Sequence, residues 1–421
     1  MKRPLDSSSI DRISTKHSKT SIPTKFPASI LSQVAIIIPV HNAAAYLSET
    51  LSSIASQTYD HHHISVHLCD DASTDTTPTL LQEWKLKLES VNIQCILSST
   101  HTNNSSSPSS SSSSSSSPPS SLPNTDTNTT RTDKDTATDI EITSAAATGA
   151  GNAKNIAVST STAPWLCFLD ADDTMYPTRI FEQHKLAMTY NATDQTRLLI
   201  GSGFIRLPKE STTHYTHWCN NLTKKQLILQ QYREVTVIQP TWFLHRDAFN
   251  AVGGYQIQQS QGTTTPIPSD LIFFQSHLDQ NGLVDRVEKP LVIYRYLKGS
   301  VSWKIPRKDL LRIRLRALER RVLSNWKTFT IWGAGRDGKN VINELKEEYV
   351  KKCIGFCDID PKKIKRGYYN HNKKLNLPVI HFSQVKPPLL ICVAMGRTDG
   401  ALEKNIESLG LIEGVDYWHV V

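Results

Sequence analysis

Val34-Ala35-Ile36-Ile37-Ile38-Pro39-Val40-His41-Asn42 decides the fold. Five consecutive apolar residues without alternation describe a strand buried on both faces, as in a parallel sheet covered by helices. Pro39 closes the run. Apolar residues then recur at helical spacing through Ala45, Leu47, Leu51, Ile54 and Ala55. Outward from there, residues 64–69 read as a second strand ending on Asp70-Asp71, 74–89 as a helix and 93–97 as a third strand. The pattern resumes at Gly149-Ala150-Gly151-Asn152 with a helix through Val158. A further apolar strand, 165–169, ends on Asp170-Ala171-Asp172-Asp173. Such alternation of strand and helix predicts a doubly wound α/β domain.

Between these halves, residues 105–121 hold fourteen Ser and three Pro. They sit in a polar stretch, 101–143, that offers nothing to bury, and the expectation is a disordered insertion. Residues 1–33 are expected to be a disordered tail. The whole chain has 421 residues, enough for two or three domains of roughly 150 residues each. It has no apolar run of about 18 residues, which excludes a membrane-spanning helix. The first thirty residues lack the apolar core of a secretory signal. They are basic, Ser/Thr-rich and poor in acid, so a mitochondrial presequence stands as a minor alternative to a cytoplasmic or nuclear location. Seven cysteines without a Cys-x-x-Cys pair argue against a disulfide framework or a zinc site and predict buried reduced thiols. A net charge of +8 permits a phosphate-rich partner.

Two strands of the first domain end in carboxylates, Asp70-Asp71 and Asp170/Asp172/Asp173. In an open α/β sheet, ligands bind beyond the carboxyl ends of the strands. Carboxylates gathered there repel one another unless a cation lies between them, and hard oxygen ligands select Mg²⁺ or Mn²⁺. An ion held by one or two Asp completes its shell with a substrate diphosphate. The competing reading makes these residues helix caps and turn formers.

A basic segment follows the first domain. Residues 304–327 carry nine Lys/Arg against two acids. Leu311, Leu315, Leu318 and Val322 form an apolar helical stripe, while Arg312, Arg316 and Arg320 form a cationic row on another face. These arginines are candidate phosphate contacts, with a solvated helix face as the alternative. Strand 329–332 then leads into Gly333-x-Gly335-x-x-Gly338 and a helix from Lys339, with Asp358 twenty residues after Gly338. This fits a dinucleotide fingerprint. It equally fits glycines that let a helix approach a strand closely. The expected domains are therefore 34–303, a linker helix 304–326, and a smaller Rossmann-like unit 327–421.

The motifs of the first domain, taken in order, carry a resemblance. Residues 36–42, Asp70-Asp71-Ala72-Ser73-Thr74-Asp75, Gly151-Asn152-Ala153-Lys154-Asn155 and Phe168-Leu169-Asp170-Ala171-Asp172-Asp173 together resemble glycosyltransferase family 2, inverting enzymes of the GT-A fold. The resemblance implies a metal-dependent transferase. Pro39, His41, Asp70, Asp71, Lys154 and Asp170 would bind the nucleotide-sugar donor, and Asp170 and Asp172 would hold Mn²⁺ or Mg²⁺ on its diphosphate. Asp270 stands where that family has its catalytic base. Tyr215-Thr216-His217-Trp218, Pro240-Thr241-Trp242-Phe243, Ser269-Asp270-Leu271-Ile272, Tyr294-Arg295-Tyr296 and the motifs around Gly333 and Asp358 resemble one small subfamily. It has been described as β-1,3-N-acetylglucosaminyltransferase-like and as queuosine-tRNA galactosyltransferase. That likeness implies UDP-galactose as donor and queuosine in tRNA as acceptor. The alternatives are a UDP-GlcNAc-type transferase acting on a glycan or protein, and a catalytically weakened tRNA-binding module. Two positions depart from the family pattern: Ser269 stands where Glu is common, and Leu297 where many relatives have a His.

Overall fold

The computed structural model describes residues 31–100, 147–257, 266–371, 373–394 and 398–421. The serine-rich insertion and nearly all of the expected N-terminal tail lie outside these residues. The first sheet has eight strands: β1 (Val34–Val40), β2 (Ile64–Asp70), β3 (Gln94–Ser99), β4 (Trp165–Phe168), β5 (Thr174–Met175), β6 (Leu198–Leu207), β7 (Phe243–His245) and β8 (Leu283–Arg295). Their order is β3-β2-β1-β4-β7-β6-β8-β5. β1 lies parallel between β2 and β4, and β3 is parallel to β2. From β7 onward the sheet is mixed: β7 runs antiparallel to β4 and β6, and β5 antiparallel to β8. The expected doubly wound α/β domain is present, with its parallel strands forming one half of a larger mixed sheet.

The unalternated run in β1 has its cause in the two faces it serves. Ala35 and Ile37 point into a core shared with Ala153, Ala157 and Val158 of the helix Ala150–Ser159. Val34, Ile36 and Ile38 point into a second core with Leu47, Leu51 and Ile54 of the helix Leu47–Ala55. Each isoleucine is fully buried, and removing one down to alanine costs about 2–5 kcal/mol. β4 ends at Phe168, opposite Ile37. Pro39 therefore has a ladder neighbour only in β2, where it faces Cys69, and its missing N–H breaks no pairing with β4.

The second sheet contains β9 (Phe329–Trp332), β10 (Cys353–Asp358), β13 (Val379–His381), β14 (Leu389–Ile391) and β15 (Tyr417–His419), with β11 (Tyr368–Asn370) and β12 (Leu375–Leu377) forming a separate ribbon. All its ladders are parallel, in the order β13-β10-β9-β14-β15. Numbered within the sheet this is 3-2-1-4-5, the Rossmann arrangement. The glycine motif opens a helix that begins at Arg336, not Lys339, so Gly338 lies inside its first turn. A Cβ on Gly338 would stand 2.0 Å from the Gly333 carbonyl oxygen. Close helix–strand packing is thus a sufficient reason for that glycine. Asp358 is saturated by the chain itself. One carboxylate oxygen accepts from Ala334 N at 2.9 Å and Lys363 Nζ at 2.8 Å, the other from Ile359 N and Asp360 N.

The linker forms the helix Arg307–Leu318, continued by a π-helical turn, Glu319–Leu323. Its stripe of Leu311, Leu315, Leu318 and Val322 is buried in a third core, with Phe329 and Ile331 of β9 and Phe356 of β10. The arginine row meets carboxylates of the chain. Arg312 pairs with Asp309 and Glu344, Arg316 with Glu319, and Arg320 with Asp279. Arg321 joins Asp279 and the side chain of Gln275. All seven cysteines are free and buried. Among the described residues, no helix is long and apolar enough to cross a membrane.

Candidate active site

The site grows from the carboxyl ends of β1, β2 and β4. In the parallel register Val40 faces Asp70, and Asp71 N donates to the Val40 carbonyl at 2.8 Å. Asp70 ends β2 while Asp170 follows β4. With β1 between them, the two acidic ends stand about two strand spacings apart, roughly 10 Å.

His41 donates through Nδ1 to the Asp71 carbonyl at 2.6 Å, and its Nε2 accepts from Asn42 Nδ2 at 3.1 Å. Asn42 Oδ1 accepts in turn from Thr74 N at 2.8 Å and Asp75 N at 3.3 Å. These bonds fix the loop after β2 against the loop after β1. The Asp71 carboxylate is buried and fully engaged. Oδ1 accepts from Thr100 Oγ1, Thr148 N and Thr148 Oγ1, and Oδ2 from Gly149 N at 2.7 Å. Asp71 therefore joins the chain just before the serine-rich insertion to the chain just after it. That structural role was not visible from sequence, because nothing in the motif says where Thr148 folds. Asp70 is half-buried, and its Oδ1 has no hydrogen-bond partner among the described residues.

Gly149, at φ +97°, turns the chain into the helix Ala150–Ser159 and so delivers Lys154 to the acidic loop. Lys154 Nζ lies 3.1 Å from Asp170 Oδ1, 2.7 Å from Gln239 Oε1 and 5.6 Å from the centre of the Tyr255 ring. Asn155 secures Tyr255 through two bonds to its backbone, each 2.8 Å.

Asp170, Asp172 and Asp173 are crowded. Burial, reinforced by the charge of Asp170, pushes the Asp172 carboxyl up to about 6. Burial and then Asp172 hold the Asp173 carboxyl well above its ordinary range. Two arginines missed by sequence reasoning brace this loop. Arg295, the last residue of β8, donates its backbone N–H to Asp173 Oδ1 and its Nε to the Asp172 carbonyl, both at 2.7 Å. Arg179 is completely buried and donates to the Phe168 carbonyl at 2.8 Å. Arg295 lies within the Tyr294-Arg295-Tyr296 motif, which was a usable signal. Arg179 had none.

Asp270 is in the first turn of the helix Ser269–Asp279, half-buried, with Oδ1 accepting from Leu271 N at 2.8 Å. This helix start is brought against the donor-side helix: a Cβ built on Gly151 would touch Ser269 and Tyr255 at 3.4 Å. Burial raises the proton affinity of Asp270, and Lys154 and Asp170 are both near enough to act on its charge in opposite directions. Tyr294 feels Asp173, Asp170 and Asp270 together. Lys154, Asp170 and Asp270 therefore share one site. Leu297 is half-buried and offers no ligand atom.

Whether these residues suit a divalent ion turns on their donor set. Among the described residues no group of three or more His, Cys, Asp or Glu is arranged as a complete metal cage. Two carboxylates from one loop, one of them with strongly raised proton affinity, suit an ion that takes its remaining oxygens from a diphosphate and water. Asp170 and Asp172 fit that description.

Residues 35–102 and 139–253 match the sequence model described as Glycosyl transferase family 2. Among solved structures, TarS from S. aureus with UDP-GlcNAc is 12% identical at a TM-score of 0.46, covering 68% of this chain and 66% of its own. The S. aureus TarS structure without a named ligand is 13% identical at 0.45, over 76% of this chain and 50% of its own. The mannosyltransferase PcManGT from Pyrobaculum calidifontis, in complex with GDP-Man and Mn²⁺, is 16% identical at 0.43, over 74% and 70%. The chain thus spans just under two thirds of the length of the first of these. Residues 35–102 and 139–253, which carry the acidic ends of β2 and β4, are thus similar in sequence to glycosyltransferase family 2.

Proposed function

We propose that the protein transfers a hexose from a UDP-sugar by one inverting displacement, with galactose as the sugar and queuosine in tRNA as the acceptor. The observation that carries the reading is the meeting of the Lys154–Asp170 pair with Asp172 and Asp270 at the carboxyl edge of the sheet.

In a single in-line displacement one base must take the proton of the attacking hydroxyl. Asp270 does this. Burial raises its proton affinity, which improves it as an acceptor. Lys154 orients Asp170 and supplies positive charge beside the diphosphate. Asp170 and Asp172 would hold a divalent ion, which when bound would neutralise charge on the departing UDP. Arg295 and Arg179 keep the acidic loop in one shape. His41, Pro39 and Asp70 border the nucleoside, with Asp71 anchoring the loop beneath it. The acidic strand-end motifs read the nucleotide better than the hexose, so the galactose and queuosine assignments rest on the resemblance of the later motifs to one small subfamily.

The test is a screen of purified protein with UDP-galactose, UDP-GlcNAc or UDP-glucose and total tRNA, followed by mass spectrometry of the digested nucleosides. A hexose added to queuosine, with UDP-galactose preferred, is expected. Transfer only to glycan or protein acceptors would replace the acceptor; absence of transfer from any UDP-sugar would overturn the reading.

A further inference from the structure

Immediately after Arg295, at the end of β8, the chain carries the half-buried Tyr296 and then the exposed Trp303. Tyr296 N donates to the Leu207 carbonyl at 2.8 Å, fixing its position beside β6. The ring of Trp303, in the short turn Val301–Lys304, lies 5.7 Å from that of Tyr296 at an interplanar angle of 54°. Trp303 is 58% exposed, a large apolar surface to leave in water. Beneath it, the Arg206 guanidinium stands 3.9 Å from the Tyr294 ring and 5.6 Å from the Tyr296 ring. The aromatic stack is therefore tied to β6 and β8 and continuous with the residues that brace Asp172 and Asp173.

The charged residues nearest to it in the chain, Lys298, Lys304 and Arg307, are of one sign. Lys298, Lys304 and Arg307 are exposed, and none has an ion pair among the described residues. This contrasts with the neighbouring helix, where Lys308, Arg312, Arg316 and Arg320 all face carboxylates. An exposed aromatic face among unpaired cations is what single-stranded nucleic acid recognises: bases stack, and phosphates follow the positive charge. A glycan would use the ring and leave three cations without a purpose.

We propose that Trp303, supported by Tyr296, is the stacking platform for an unpaired nucleobase of the acceptor, with Lys298, Lys304 and Arg307 contacting the flanking phosphates. This rests on the RNA-acceptor reading and assigns the RNA contact to the loop after β8, away from the ion-paired linker helix. The platform follows Arg295, whose backbone N–H and Nε hold Asp173 and the Asp172 carbonyl.

The test is fluorescence anisotropy with a labelled RNA stem-loop and, in parallel, a fully paired RNA duplex. Base–aromatic stacking is worth about 1–3 kcal/mol, so Trp303→Ala should weaken stem-loop binding by about 5- to 150-fold and leave duplex binding unchanged. Trp303→Phe, which keeps a ring, should recover most of the loss. Changing Lys298, Lys304 and Arg307 to Gln should flatten the log–log salt slope by about 2. UDP affinity should be the same in every variant, which separates the platform from the donor site. Should the alanine variant melt early, the phenylalanine and glutamine variants carry the decision. Wild type that binds the stem-loop, with all variants binding as tightly and on the same slope, would overturn the platform and leave the RNA acceptor standing. Wild type that binds no RNA would overturn both.

Discussion

Lys154 Nζ stands 3.1 Å from Asp170 Oδ1, which gives one carboxylate of the acidic loop a cation while Asp172 has burial and a like charge against it. The two aspartates of the motif are therefore unequal before any ligand arrives. Asp172 ordinarily titrates near 3.8 and is pushed up to about 6. With a raised native value, its contribution to stability is fully present below the unfolded value and is lost as pH rises through about 6. A divalent ion reverses the preference, because it requires the carboxylate. Stabilisation by MnCl₂ should accordingly be weak at pH 5, where about a tenth of Asp172 is ionised, and grow through pH 7. Thermal melts with and without MnCl₂ at the two pH values check this; equal shifts would remove Asp172 from the ion's shell.

Asp270→Asn keeps the shape of the side chain and removes its basicity. Turnover should fall by about 10²–10⁴-fold while UDP affinity stays near that of wild type. Steady-state transfer rates with parallel calorimetry separate the two effects. Unchanged turnover would make Asp270 only a first-turn acid favoured by the helix dipole.

Asp71 gathers Thr100, Thr148 and Gly149, the chain on both sides of the serine-rich insertion. Asp71→Ala removes hydrogen bonds to a charged acceptor, with Thr148 and Gly149 exposed enough to turn to water, and should destabilise the protein by about 1.5–3 kcal/mol in all. Deleting residues 103–140 retains every one of these bonds, so its melting temperature and transfer rate should match those of the full chain. A lower melting temperature in the deletion would mean that the insertion itself docks on the domain.

Glu319 is 1% exposed, pairs with Arg316 and accepts from Lys346 N at 2.8 Å. Removing this acceptor leaves the partly exposed Arg316 and the Lys346 N–H without it and costs about 1–3 kcal/mol, so Glu319→Ala should unfold at clearly lower urea. Arg312→Gln breaks more exposed pairs and should shift stability by less than about 1 kcal/mol. Urea unfolding of both variants checks the ranking.

β1, β2 and β4 were legible because their apolar runs serve two cores at once, and their acidic ends mark where the chain leaves the sheet. The mixed half was not, since β6 pairs with β8 across a long stretch of chain that carries no local signal of its partner. The arginine row shows the same limit. Sequence places Arg312, Arg316 and Arg320 on one helix face correctly, but Glu344 and Asp279 are distant in the chain, and only folding brings them alongside. Asp270 and Lys154 were named by motif, but nothing local in the sequence says that the helix beginning at Ser269 packs beside Gly151 of the helix that carries Lys154.

The central claim is that the acidic strand ends bind a nucleoside diphosphate through a divalent ion. Isothermal titration calorimetry of UDP, with and without Mn²⁺, into wild type and Asp172→Ala tests it most directly. The account predicts markedly tighter UDP binding with Mn²⁺ in wild type and no such gain in the variant. UDP affinity that is the same in all four titrations would contradict it.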